Sequence, residues 1–408
     1  MPERAATAFC LDITRLVSRT GKGPHTGIDR VELAYLDGLL ARDTPLFGLA
    51  RTAAGYVLLD RTGLSSLRGP LADRSLTGGI DVIGLLSRRL APQRRQAEAE
   101  LRRRSMARCL RPRLGALLSR HLPPGTVYLN VGHSNLSDAV LKAVKSVPQA
   151  RSAVLIHDTI PLDLPQTQRP GTPEVFAQRL AAVARHADTV ICTTDATAES
   201  VESRLITLGR VPQIVTAQLG IDLAQPDAGT LALPNSPYFL CIGTIDPRKN
   251  QSFLLDLWEA LPVRMPGNVP TLILAGSRGW GDATLMQRLD AAPVNIVEMS
   301  GLDDNALAAL MTGATAVLHP SLAEGFGFPP LEAALRGIPV ICPPLPVYRE
   351  LLGDIPVYAP SGDLYHWTNA IEALMGDDNN RQTGTRASSD RPTQPTWTTH
   401  LNLVLNRL

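Results

Sequence analysis

The second half of the chain alternates short apolar runs with longer amphipathic ones, the mark of βαβ units and a parallel sheet. Strands are predicted at YFLCIGT, TLILAGS, VNIVEMSG, ATAVLHP and IPVICPP. Between them NQSFLLDLWEAL, WGDATLMQRLDAA, DDNALAALMTGA and PPLEAALRG carry helical spacing or helix-start residues, such as Asp303 ahead of an apolar run. A doubly wound domain is expected from Tyr238 onward. The first half is less regular, with strands predicted at AFCLDITRLV, TPLFGLA, TVYLNVG, SAVLIHD, TVICTT and QIVTAQLG and helices at TGIDRVELAYLDGLLA and VFAQRLAAVARHA. QPDAGTLALPNSP reads as a linker. The fold class is therefore α/β, with two Rossmann-like doubly wound domains expected at residues 1–228 and 229–395, facing across a cleft. Residues 377–395 are polar and poor in large apolar groups, which predicts a flexible segment. Residues 396–408, TWTTHLNLVLNRL, regain helical periodicity and are expected to pack back on the first domain.

Length agrees with this division, since 408 residues exceed what one core usually serves. Apolar content is 44%, yet the apolar runs are strand-sized, well short of a spanning helix. MPERAATAFCLDI lacks the apolar stretch of a secretory signal, so a cytoplasmic location is expected. The five cysteines are scattered without a C-x-x-C pair, and reduced, mostly buried thiols are expected.

A net charge of +2 gives no global reason for a polyanionic partner. Residues 88–120, however, hold eleven arginines against Glu98 and Glu100. One reading is a solvated helical face. A second is a helix whose stripe of Leu101, Met106, Leu110, Leu114 and Leu117 sets the arginines against anionic lipid, placing the protein at the inner face of the cytoplasmic membrane. No interleaved aromatics accompany the charge, so nucleic acid is not an expected partner.

The stretch richest in candidate chemistry is HPSLAEGFGFPPLEAALRG. A strand ends at His319-Pro320, a loop with Glu324, Gly325 and Gly327 follows, and Pro329-Pro330 opens a helix that would close at Gly337. Such a junction aims backbone N–H groups and the positive helix end at one point, where an anion can sit. Glu332, eight residues after Glu324, is expected in the first helical turn. Two carboxylates there can accept hydrogen bonds from sugar hydroxyls, although a loop glutamate beside a helix-start glutamate has the same spacing. CIGTIDPRKNQ again lies between a strand and a helix, and its Arg248 and Lys249 suit a diphosphate or plain solvation. GSRGWG has the wrong glycine spacing for a dinucleotide loop.

From YFLCIGTIDPRKN through GSRGWG, VEMSGLDDNALAALM and HPSLAEGFGFPPLEAALRGIPVI to VYRELLGD, the chain resembles the large retaining glycosyltransferase family that includes sucrose-phosphate synthases and bacterial mannosyl- and rhamnosyltransferases. LDITRLV, HTGIDRVELAYLDGL, YLNVGHSNL, IHDTIPLDLP and QLGID extend the resemblance more weakly into the first half, toward enzymes assembling capsule, lipopolysaccharide or exopolysaccharide. The resemblance implies the GT-B fold with a Glu-x7-Glu motif, a nucleoside-diphosphate sugar as donor and co-substrate, a saccharide or lipid-linked saccharide as acceptor, and neither cofactor nor metal. It implies that Arg248 and Lys249, with the backbone at Gly325, Phe326 and Gly327, hold the donor diphosphate, while Glu324 binds the sugar and Glu332 the ribose. Gly27 would approach the diphosphate, His157 the transferred sugar, and Gly301-Leu302 the base. Glu324 and His157 are the expected catalytic residues. Thr244 stands where many members carry a basic residue, leaving the positive charge to Arg248 and Lys249. A nucleotide-sugar epimerase of this fold and a non-catalytic saccharide-binding scaffold are the alternatives.

Overall fold

The computed structural model describes residues 6–23, 25–73, 78–229, 231, 234, 236–281, 283–291, 294–376 and 391–408. Most of the segment expected to be flexible, residues 377–390, lies outside them, as do parts of the predicted linker. The chain divides into two compact units, Met1–Thr159 with Glu174–Gly220 and Thr396–Leu408, and Ile160–Pro173 with Ile221–Pro395.

In the first unit the described residues form an eight-stranded sheet ordered β4-β3-β2-β1-β5-β6-β7-β8. Its strands are β1 (Ala8–Asp12), β2 (Leu46–Thr52), β3 (Gly55–Leu59), β4 (Ala107–Cys109), β5 (Thr126–Asn130), β6 (Arg151–Ile156), β7 (Thr189–Cys192) and β8 (Gln213–Thr216). β1 pairs in parallel with both β2 and β5, so the chain reverses its winding direction between β1 and β5. β1 is buried along its whole length, as expected for a strand covered on both faces.

Two sequence expectations fail here, and two strands are present that were not expected. AFCLDITRLV is not one strand: after Asp12 it turns into the helix Thr14–Arg19, because the Asp12 carboxylate accepts the Thr14 N–H at 3.0 Å and captures the backbone. β3 and β4 were not predicted and pair antiparallel with their neighbours; the β2–β3 hairpin turns on Ala53-Ala54, without the usual Asn-Gly signal. The arginine-rich stretch is not one helix with one stripe, but the helix Pro92–Arg103, β4, and the helix Leu114–His121. Leu101, Leu114 and Leu117 are buried in the domain while Met106 and Leu110 are exposed, so the five share no face. Several of the arginines are neutralised locally: Arg94 meets Glu98 at 2.8 Å, and buried Arg102 forks onto Asp81 with two 2.6 Å hydrogen bonds.

The helix Trp397–Leu405 packs on the helix Gly27–Leu40 within this unit. Tyr35 and His400 join the two through a 2.8 Å hydrogen bond, and Leu401 lies where any side chain at Gly38 would have to go.

The second unit holds a six-stranded parallel sheet, among its described residues, ordered β11-β10-β9-β12-β13-β14. The strands are β9 (Tyr238–Ile242), β10 (Thr271–Ala275), β11 (Ile296–Met299), β12 (Ala316–Leu318), β13 (Val340–Cys342) and β14 (Val357–Tyr358). Numbered within the unit this is the 3-2-1-4-5-6 order of a dinucleotide-type sheet, with its switch point between β9 and β12. β14, two residues long, gives too short an apolar run to read from sequence. Phe239, Phe253, Trp258 and Trp367 anchor the core, with Trp258 Nε1 satisfied by Pro270 O at 2.9 Å.

Candidate active site

The carboxyl ends of β9 and β12 carry the two loops singled out by sequence, and the fold joins them. After β9, Asp246 accepts the backbone N–H groups of Arg248 and Lys249 at 3.1 and 3.2 Å, forming the turn Pro247–Lys249. Asn250 then takes φ 56°, a left-handed conformation that asparagine tolerates, and opens the helix Gln251–Arg264. Leu322 N–H donates to Arg248 O at 2.9 Å, and Arg248 Nη1 donates to Ala323 O at 2.9 Å. These bonds hold the two loops in register.

Glu324 is the focus of the resulting cluster. One carboxylate oxygen, Oε1, lies 2.6 Å from Lys249 Nζ, 2.9 Å from Arg248 Nη1 and 3.2 Å from His319 Nε2. Burial by itself would raise this carboxyl, but Lys249 and Arg248, helped by His319, hold it well below its ordinary range. His319 is driven down to about 4 by burial first and the Lys249 charge second, so at neutral pH it is uncharged. Its Nε2–H then donates to Glu324, and its buried Nδ1 has no partner among the described residues. Two cations face the single Glu324 carboxylate at the strand ends, a setting suited to phosphate, while the Asp246 carboxylate is spent on the backbone of the turn.

Beyond Glu324 the chain is shaped by glycine. Gly327 has φ 85°, and a Cβ there would meet Tyr348 Cε1 at 2.6 Å, so both conformation and space exclude a side chain. It caps the helix Phe328–Leu335, which ends at Arg336 with Gly337 at φ 77° and Ile338 N–H on Ala333 O at 2.9 Å, the closing motif read from sequence. Glu332, half-buried, is the fifth residue of this helix and lies in its second turn, not the first. The helix starts one residue before the proline pair, at Phe328, which displaces the count.

The structure thus gathers Arg248, Lys249 and Glu324, with Gly325, buried Phe326 and Gly327 adjoining in sequence. Gly301 and Leu302 follow β11 at the sheet edge, two strands from β9. In the first domain Gly27 is the first residue of its helix; Thr26 N–H donates to the buried Asp29 carboxylate at 2.8 Å, and Arg15 grips the same group at 2.7 Å. His157 follows β6 directly, its Nε2–H donating to Val131 O at 2.7 Å. Burial lowers it to about 4, so the ring is neutral with Nδ1 as an acceptor. His319 was quoted in the motif but given no role from sequence. Its signal was a strand-end histidine five residues before Glu324.

Residues 228–389 match the family described as glycosyl transferases group 1. The chain is related to bacterial sugar transferases. It is 29% identical over 221 residues to the serotype-specific mannosyltransferase WbdA of Escherichia coli, covering 50% of this chain and 27% of that protein. It is 34% identical over 162 residues to O-antigen chain mannosyltransferase B of Escherichia coli, covering 39% and 42%. The chain therefore spans less than half the length of these curated relatives. Among solved structures, sucrose-phosphate synthase from Thermosynechococcus elongatus aligns with a TM-score of 0.61 over 99% of this chain and 97% of that one, at 16% identity. Anabaena HepE in complex with UDP-glucose aligns with a TM-score of 0.60 over 98% and 97%, also at 16% identity. The fold is that of the two-Rossmann-domain GT-B class.

Proposed function

We propose that the protein is a retaining glycosyltransferase moving a hexose or deoxyhexose, mannose- or rhamnose-like, from a nucleoside-diphosphate sugar to a saccharide or lipid-linked saccharide, in the assembly of a bacterial surface polysaccharide. One observation carries the reading: an ionised, buried Glu324 gripped by Lys249 and Arg248 at the switch point of the second sheet, inside the stretch that matches the transferase family.

In this reading Arg248, Lys249 and the loop Gly325–Gly327 receive the diphosphate, Glu324 accepts hydrogen bonds from the transferred sugar, and Glu332 those from the ribose. His157 faces the sugar, Gly27 the diphosphate, and Gly301-Leu302 the base. Donor binding gives Lys249 and Arg248 a second anion, freeing Glu324 oxygens for sugar hydroxyls. The acceptor oxygen bonds to the anomeric carbon as the bond from that carbon to the β-phosphate oxygen breaks, and the acceptor proton passes to that departing oxygen. Positioning and stabilisation of an oxocarbenium-like state are the protein's contribution.

The test is incubation with labelled GDP-mannose and dTDP-rhamnose, with and without a mannose-terminated acceptor glycoside. A longer glycoside with the donor's anomeric configuration is expected, and E324A should abolish it. Conversion of the donor sugar in the absence of acceptor would establish the epimerase instead, and undiminished transfer by E324A would remove the central assignment.

A further inference from the structure

LDITRLV and YLNVGHSNL meet in the first unit, where β1 and β5 end side by side. Asp12, the last residue of β1, is buried, and its Oδ2 accepts from Tyr128 OH at 2.8 Å and from Asn135 Nδ2 at 2.7 Å. Its Oδ1 accepts the Thr14 N–H at 3.0 Å. Every one of these groups donates, an arrangement that suits the ionised carboxylate. The net extends outward: Asn135 Oδ1 accepts from Tyr56 OH at 3.2 Å, and Asn130 Nδ2 donates to Tyr128 OH at 3.1 Å and to Ser134 O at 3.0 Å. One buried carboxylate therefore braces both the end of β5 and the loop that follows it.

That loop is strained. His133 and Asn135 take φ 56° and 63°, left-handed conformations unfavourable outside glycine. Gly132, just before them, has no room for a side chain, because a Cβ would run into the Glu32 carboxylate and the Arg15 side chain. Such backbone persists only where its surroundings over-determine it. Here the loop delivers one carbonyl to a chosen place: Val131 O accepts the Nε2–H of His157 at 2.7 Å. The His133 ring, anchored by its own Nε2–H on Leu155 O at 2.7 Å, lies edge-on to His157 with centroids 5.1 Å apart. The carbonyl decides which imidazole nitrogen carries the proton, and Nδ1 is left as the acceptor.

We propose that Asp12, acting through Asn135 and the loop they brace, is a positioning residue for His157, holding Val131 O where it keeps the imidazole proton on Nε2 and presents Nδ1 as acceptor to a hydroxyl. That the hydroxyl belongs to the transferred sugar rests on the transferase reading; the tautomer does not.

The experiment uses the full chain isotopically labelled on its histidine nitrogens, whose NMR shifts report the tautomer of each imidazole. The His157 signal is the one lost in H157Q. In the parent its proton should sit on Nε2. D12N keeps the shape of Asp12 but offers one carbonyl oxygen to three donors. N135G keeps the left-handed turn at ease while removing the bond to Asp12, and it serves as the test should D12N fail to fold. Each is expected to turn the His157 signal into that of a mixture of tautomers. With GDP-mannose or dTDP-rhamnose as donor, kcat should fall about tenfold or more in both variants while the donor KM holds, the mark of misplacement rather than lost binding. His157 still protonated on Nε2 in both folded variants overturns the positioning role, whatever the transfer rate. A shifted tautomer with the parent's kcat instead supports the brace and removes His157 from the transferase reading.

Discussion

Replacing Glu324 by glutamine removes the anion at the centre of the cluster while keeping its shape. The carboxylate is buried and meets Lys249 at 2.6 Å and Arg248 at 2.9 Å. Breaking a buried pair costs about 3–5 kcal/mol, and the remaining amide oxygen, still able to accept from Lys249, returns about 1 kcal/mol. The second domain should lose about 3 kcal/mol at pH 7. Because folding holds the carboxyl below its ordinary 4.5, its contribution is complete above that pH and is lost as pH falls through the folded-state value. The gap between parent and E324Q should therefore be constant from neutral pH down to 4.5 and close below it. Urea unfolding followed by tryptophan fluorescence reads this domain through the buried Trp258 and Trp367, in a W397F background that removes the first domain's reporter near His400. Equal stability at neutral pH, or a gap that stays open in acid, would refute the ion-pair account. Transfer by E324Q should fall by about a hundredfold or more.

Three further outcomes are expected. His157 and His400 in the first domain are held at about 4 by burial, so the unfolded chain binds protons that the folded one refuses as pH drops from 6.5 toward 4. Each costs about 3 kcal/mol by the bottom of that window, and H400Q should blunt the acid-induced fall in the first domain's urea midpoint. G327A should destabilise the second domain by more than about 2 kcal/mol in thermal unfolding, since it adds a left-handed penalty to a clash with Tyr348. R102M removes the two hydrogen bonds from the buried guanidinium to Asp81, while Arg94 keeps Glu98 paired, and should cost the first domain about 2 kcal/mol in urea unfolding, against less than about 1 kcal/mol for R68M at an exposed pair.

The second sheet was readable because its strands are short apolar runs separated by amphipathic helices, so periodicity and turn residues point the same way. The first sheet hid what depends on partners. LDITRLV has strand composition throughout, and only the Asp12–Thr14 hydrogen bond ends the strand. β4 is three residues long and takes its conformation from pairing with β3. In the candidate site the residue types and loops were legible, as was the proximity of Arg248 and Lys249 to a strand end. That Glu324 accepts from both of them and from His319 was not, because it depends on β9 and β12 being neighbours despite the intervening β10 and β11.

The return of Thr396–Leu408 to the first unit has a consequence for synthesis. A ribosome releases the helix Gly27–Leu40 hundreds of residues before the partner that covers Tyr35 and Gly38 exists, so that apolar face must wait uncovered while the second unit is made. The first unit is then the last to be completed, and a premature stop before Thr396 leaves a sticky, unfinished half beside a finished one.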